Sequence, residues 1–206
     1  MLVRFLIVCE GTKTEPFYFK ALVKDKGSEV AEVKEKDILG MGRATCALVE
    51  EARKRREHLE RLRGLRFDRV WVVFDKDDND DFDAAIDLAR KYGFECAWSN
   101  EAFELWYLLH FVYLDSAVGR GDYIRKLQAE VRRHAGYERY EYEKNAVNTY
   151  AMLREIGNEE KAKQRAVKLR GRFAAGRCST HCPATRVDLL VDELEHTEEV
   201  LARLKD

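Results

Sequence analysis

Residues 69–81, R-V-W-V-V-F-D-K-D-D-N-D-D, decide the fold. The first six are apolar, β-branched or aromatic apart from Arg69, and the run stops at five acids within seven positions: Asp75, Asp77, Asp78, Asp80 and Asp81. An uninterrupted apolar run of this length reads as a strand buried on both faces, as in parallel sheets covered by helices. Residues 2–9 (LVRFLIVC) carry the same pattern and end at Glu10-Gly11, and residues 94–98 (FECAW) form a third such run. A shorter strand is expected over 28–36, through Val30 and Val33, ahead of Ile38 and Leu39.

Helical spacing fills the gaps. Residues 14–26 place Phe17, Leu22 and Val23 on one face, with Thr14 as N-cap and Pro16 in the first turn. After the Gly40-Met41-Gly42 break, residues 43–63 carry Leu48, Val49, Ala52, Leu59 and Leu62, and a helix over 82–92 closes at Gly93. Strands and helices thus alternate, which predicts an α/β fold with a mainly parallel sheet of about four strands and flanking helices. Beyond Glu101 only helices are expected, over 102–111, 122–134, 145–156, 159–173 and 186–204. The organisation read from this is an α/β domain over 1–113 and a helical C-terminal region over 114–206.

Composition removes several function classes. The chain has 206 residues, 46% hydrophobic and 36% charged, with two prolines, so it should fold. Its apolar runs fall far short of the ~20 residues of a membrane span, and a cytoplasmic protein with no membrane contact is expected. Five cysteines, with Cys9 and Cys96 inside apolar runs, imply no disulfide framework. A formal charge of −1 gives no domain-wide pull on a polyanion. Nucleic-acid contact would rest on local patches: Arg53 to Arg66, or Lys161 to Arg177, the latter free of Asp and Glu. Both patches also read as solvated helix faces.

Ligand sites in open α/β sheets form at the carboxyl ends of the strands. That places Glu10, Asp75 with Asp77, and Ser99 with Asn100 on one rim. If extended geometry persists past Phe74, Asp75 and Asp77 project to the same side, and with Glu10 they make a concentrated negative site. Carboxylate oxygens suit a hard cation, so Mg²⁺ or Mn²⁺ is the expected occupant. The competing reading is turn and cap chemistry, to which Asp80 and Asp81 are assigned as caps of the helix that follows; Asp78 is left between the two roles. An EF-hand is excluded, because the sixth place of a loop starting at Asp75 is Asp80 rather than Gly and the twelfth is Ile86. Cys178, His181 and Cys182 lack a fourth nearby ligand for structural zinc. Trp106 and Phe111 read as core, and His110 either as a core histidine or as a phosphate contact or proton donor.

Four segments carry a resemblance: C-E-G-T-K-T-E-P-F-Y-F-K-A-L (9–22), V-V-F-D-K-D (72–77) followed by F-D-A-A-I (82–86), S-N-E-A-F-E-L-W-Y-L-L-H-F (99–111) and P-A-T-R-V-D-L-L-V-D-E-L (183–194). In this order they resemble the RloB-like family, which is similar to the TOPRIM group and to AbiLii-like antiphage proteins. The resemblance implies a TOPRIM-like fold with one or two Mg²⁺ ions, Glu10 as the motif glutamate and Asp75 and Asp77 as the D-x-D pair. Ser99 with Glu104 or Glu101 would match an S-x-E-like element, and Glu104 is favoured because Glu101 stands where the family commonly has proline. The second acid of the nuclease branch has no match at the expected spacing, where Thr14 stands, with Glu15 one further on. Lys13, Glu15, Asp78, Ser99, Asn100 and His110 remain auxiliary candidates. Lys144 and Asn145 lie in a Tyr-x-Lys-like stretch to which no role is assigned.

The implied function is metal-dependent hydrolysis of phosphodiester bonds in RNA or DNA, catalysed by Glu10, Asp75, Asp77 and Glu104. The setting would be bacterial or archaeal antiphage defence (abortive infection) beside an ABC-type ATPase, with a homo-oligomer allowed. The rival is a regulatory module that binds a metal or nucleotide and docks a partner ATPase.

Overall fold

The computed structural model describes residues 2–27, 29–42, 45–173 and 176–205. Ser28 and Arg43, at which two of the expected elements begin, lie outside the described residues. The strands are β1 (Val3–Cys9), β2 (Ala31–Glu32), β3 (Ile38–Gly40), β4 (Arg69–Asp75) and β5 (Glu95–Ser99). The helices are α1 (Thr14–Lys26), α2 (Thr45–Arg63), α3 (Phe82–Lys91), α4 (Glu104–Leu109), α5 (Arg120–Val131), α6 (Thr149–Ile156), α7 (Glu159–Arg170), α8 (Val187–Glu195) and α9 (Thr197–Arg203).

Among the described residues the five strands pair with one another in parallel, with β1 and β4 at the centre and β5 outside β4, and an antiparallel bridge joins Ser99 to Thr185. β2 and β3 share the other side of β1, the first beside Val3 and Arg4, the second beside Ile7 to Cys9. The strand expected over 28–36 is thus only the two-residue β2, and β3 is a further short strand just beyond the expected range. The chain leaves the ladder in a turn of 3-10 helix at Glu35–Asp37, where Asp37 is buried and pairs with Arg63 of α2 at 2.6 Å.

Strand alternation sorts the core into two layers. Val3, Phe5, Ile7, Cys9, Trp71, Val73 and Ala97 face one side, against α1 and the helices from α4 onward. Leu6, Val8, Val70, Val72, Phe74, Cys96 and Trp98 face the other, against Leu48, Val49 and Ala52 of α2 and Phe82, Ala85 and Ile86 of α3. Residues on both sides of position 113, among them Leu108, Leu127 and Leu169, belong to the same buried cluster as β1. The helices of 114–206 are therefore the second covering layer of the sheet.

Two local expectations change. The helix expected over 186–204 is α8 and α9, separated at His196 (φ −112°, ψ 47°). There the Thr197 hydroxyl donates to the Glu193 carbonyl at 3.1 Å, a side-chain bond of the kind that competes with the helical ladder. Asp81 accepts the Cys46 N–H at 3.1 Å and the Thr45 hydroxyl, so it caps α2 rather than the helix that follows it in sequence.

Candidate metal centre

The central strands deliver their carboxylates to one edge. The Glu10 N–H donates to the Val73 carbonyl at 2.8 Å, carrying the ladder one residue past β1, and its Oε2 accepts the Asp75 N–H at 3.1 Å. Asp75 ends β4; its Oδ2 accepts the Phe103 N–H at 3.1 Å and Arg120 Nη2 at 3.2 Å. The strand does not persist beyond it. Asp77 sits in a turn with φ +37°, and this turn, not strand alternation, brings its Oδ2 to 3.2 Å from Arg120 Nη1. Short polar side chains tolerate that left-handed region best.

Glu15, in the first turn of α1, is 6% exposed, and its buried Oε2 has no hydrogen-bond partner. Glu104, at the start of α4, is 2% exposed and accepts the Tyr142 hydroxyl at 2.7 Å. These five acids, with Gly11, Thr14, Phe103, Arg120 and Lys144, line a cleft of about 120 Å³. Two glycines make it possible. A Cβ on Gly11 would lie 2.0 Å from Glu15 Oε2, and one on Gly40 would lie 2.5 Å from the Gly11 carbonyl oxygen and the Thr12 Cα. The Thr14 hydroxyl donates to the Lys144 carbonyl instead of capping α1, tying the 132–148 loop to the cleft wall.

Burial dominates the electrostatics. It raises the Asp75 carboxyl well above the usual range, with Glu15 and Glu104 adding to the rise and Arg120 opposing it. Glu10 is raised by burial, against the Asp75 N–H bond, and Glu15 by burial and then by Glu104 and Glu10. Tyr142 keeps its proton, because burial and the adjacent Glu104 both raise its pKa. Five carboxylates facing Arg120 and Lys144 leave the cleft short of positive charge.

A family model described as RloB-like protein matches residues 5–194. The chain belongs to the RloB-like family. No curated protein and no solved structure gives a significant match.

In this RloB-like chain the expected acids Glu10, Asp75, Asp77 and Glu104 come together with Glu15, while Glu101 lies outside the cleft lining. Lys13 and Asp78 are exposed and do not line it. Ser99 and Asn100 sit on the rim but face the C-terminal segment. Ser99 Oγ is 2.9 Å from Thr185 Oγ1, and Asn100 donates to the Ser179 carbonyl at 3.0 Å. They act there as clasps between β5 and the segment leading to α8. His110 is buried against Trp106, with Nδ1 3.0 Å from the Trp106 carbonyl, and burial pushes its pKa down to about 4. It is a neutral core histidine. Trp106 is also core, donating to the Tyr18 hydroxyl at 2.8 Å. The ring of His181 stacks on Phe173 at 4.7 Å.

The basic patches stay largely at the surface, where Lys54, Arg61 and Arg66 of the first and Lys161, Arg172 and Arg177 of the second are exposed, while several of their other cations are paired. Arg53, Arg55 and Arg56 pair with glutamates of α2, and Lys163 and Arg170 pair with acids of α8. Arg165 donates to the Leu109 carbonyl and Lys168 lies over the Tyr113 ring. The cations at the site come from elsewhere: Arg120, the first residue of α5, and Lys144, in the Tyr-x-Lys stretch whose Tyr142 holds Glu104. The only local trace of Arg120 is its setting in Gly119-Arg120-Gly121, a helix start without side-chain crowding.

Proposed function

We propose that this protein is a metal-dependent nuclease, hydrolysing phosphodiester bonds of RNA or DNA, with Glu10, Asp75 and Asp77 holding Mg²⁺ or Mn²⁺. The observation that carries the reading is Glu15: a buried carboxylate oxygen without a partner, beside four more acids, at the carboxyl edge of a parallel sheet. An all-carboxylate donor set fits a hard divalent cation in its chemistry. As they stand, among the described residues no three acid, histidine or cysteine side chains are gathered around one point that could hold an ion. Loading would therefore bring the acids closer together, in the presence of Arg120, which is paired with Asp75 and Asp77.

When bound, such an ion would neutralise charge on the scissile phosphate and favour ionisation of a water nucleophile. The chain's own residues do the rest. Tyr142 fixes the Glu104 carboxylate, the Phe103 N–H orients Asp75, and Arg120 and Lys144 supply positive charge for a phosphate. The resemblance adds an effector role in bacterial or archaeal antiphage defence, in the cytoplasm and beside an ABC-type ATPase; these belong to the same proposal. No helix among the described residues is long and apolar enough to cross a membrane.

One observation favours a second reading, a regulatory module that docks an ATPase: Arg120 already occupies the Asp75–Asp77 pair, and Lys163 and Arg170 of the second patch are tied to acids of α8. The double variant Asp75→Ala with Asp77→Ala separates the two. Mg²⁺- or Mn²⁺-dependent cleavage of single- and double-stranded RNA and DNA should vanish in it. Undiminished cleavage sinks the nuclease assignment, and a wild type that cleaves nothing but co-purifies with an ATPase supports the module.

A further inference from the structure

We propose that Arg120 is a built-in competitor for the divalent ion, so that metal loading at Asp75 and Asp77 is gated by a residue of the C-terminal layer. This rests on the metal reading above and concerns its regulation. The guanidinium spans the pair, with Nη2 3.2 Å from Asp75 Oδ2 and Nη1 3.2 Å from Asp77 Oδ2. A divalent ion held between the two carboxylates is a second cation drawn to the same pair, and it competes with the guanidinium for their charge because like charges at contact distance repel.

Three features make the contact exchangeable rather than structural. The Arg120 side chain is 34% exposed, so solvent reaches the guanidinium side of the ion pair even though Asp75 is buried. Its Nε is buried without a hydrogen-bond partner, so among the described residues only the two carboxylates fix the guanidinium. Arg120 is the first residue of α5, and a Cβ on either flanking glycine, Gly119 or Gly121, would meet nothing within 4 Å, which leaves room at the helix start. Asp75, by contrast, is fixed from behind by the Phe103 N–H, so the carboxylate stays when the arginine leaves. In the metal-free protein Arg120 offsets part of the cleft's negative charge; once displaced, it is a free guanidinium at the cleft wall, suited to a phosphate oxygen.

The test measures Mn²⁺ affinity of the full chain by calorimetric titration, with electron paramagnetic resonance of free Mn²⁺ as a second readout. Wild type, Arg120→Gln and Arg120→Lys are compared, each checked for folding by circular dichroism. Competition predicts that Arg120→Gln binds Mn²⁺ at least about tenfold more tightly than wild type, a change of about 1.4 kcal/mol. Arg120→Lys, a point charge without the two-pronged fork, should fall between them and serves as the readout if the glutamine variant does not fold. Equal or weaker binding in both variants, with Mn²⁺ still bound by wild type, overturns the competition and leaves the metal reading standing. Absence of Mn²⁺ binding in all three proteins, at concentrations up to millimolar, overturns both.

Discussion

Glu15 offers the sharpest test of the cleft's electrostatics, because it separates the charge of one side chain from its shape. Glu15→Gln keeps the volume and removes the ionisation of a carboxylate that is 6% exposed, has an orphaned Oε2 and lies near Glu104 and Glu10. An unsatisfied charged group costs more to bury than an unsatisfied amide, a difference of about 1 to 2 kcal/mol. For a chain of this length that is roughly 2 to 8 °C in Tm. The metal-free variant should therefore melt higher than wild type at neutral pH.

The pH profile gives the sign independently. Glu15 has its pKa raised in the folded state, so between the ordinary carboxylate value and the folded one the native protein holds a proton that the unfolded chain has released. Stability then falls as pH rises above the ordinary carboxylate value and through the folded one. Asp75 and Glu10 act in the same direction. Thermal melts in chelator between about pH 4.5 and 8 should show a steeper fall for wild type than for Glu15→Gln. Saturating Mn²⁺ should narrow or invert the gap, since a ligand at a hundred times its Kd adds about 2.7 kcal/mol to whichever protein binds it. A metal-free Glu15→Gln that melts lower at neutral pH, or two pH profiles running parallel, would refute the claim that Glu15 is an uncompensated charge.

Two further substitutions probe how the cleft is built. Tyr142→Phe deletes the donor to Glu104 Oε1 and leaves a buried carboxylate without it; a loss of about 1.5 to 3 kcal/mol in urea unfolding is expected, together with loss of any metal-dependent cleavage. Gly40→Ala drives a Cβ to 2.5 Å from backbone atoms of Gly11 and Thr12, which cannot rotate away, so about 1 to 3 kcal/mol should be lost and the Glu10 turn displaced. An alanine variant that melts with the wild type would show that this approach is looser than described.

The sheet was legible because burial on both faces writes itself into composition: residues 2–9, 69–74 and 94–98 are nearly continuous apolar runs, and each became a strand to within a residue or two. The acids at the strand ends were legible for the same reason, since each directly follows such a run. Local pattern failed where a distant partner decides the geometry. Asp81 reads as a cap of its own helix and serves α2, and Ser99 and Asn100 read as cleft residues and hold the 178–185 segment. Arg120 leaves almost no trace, because one arginine beside two glycines looks like any loop, and its meaning lies in two carboxylates more than forty residues away.

That distribution bears on where the functional unit ends. A boundary at residue 113 leaves Glu10, Glu15, Asp75, Asp77 and Glu104 on one side and Arg120, Tyr142 and Lys144 on the other. The N-terminal α/β part alone would carry five clustered carboxylates without either cation and without the hydroxyl that fixes Glu104. It would also expose the face of β1 and α4 that α5, α7 and α8 cover. Like charges gathered at low dielectric repel strongly, so such a fragment would have to protonate its acids or open its cleft. The helical layer is thus part of the site's chemistry as well as its cover: it supplies the positive charge that lets the acids assemble before any metal arrives.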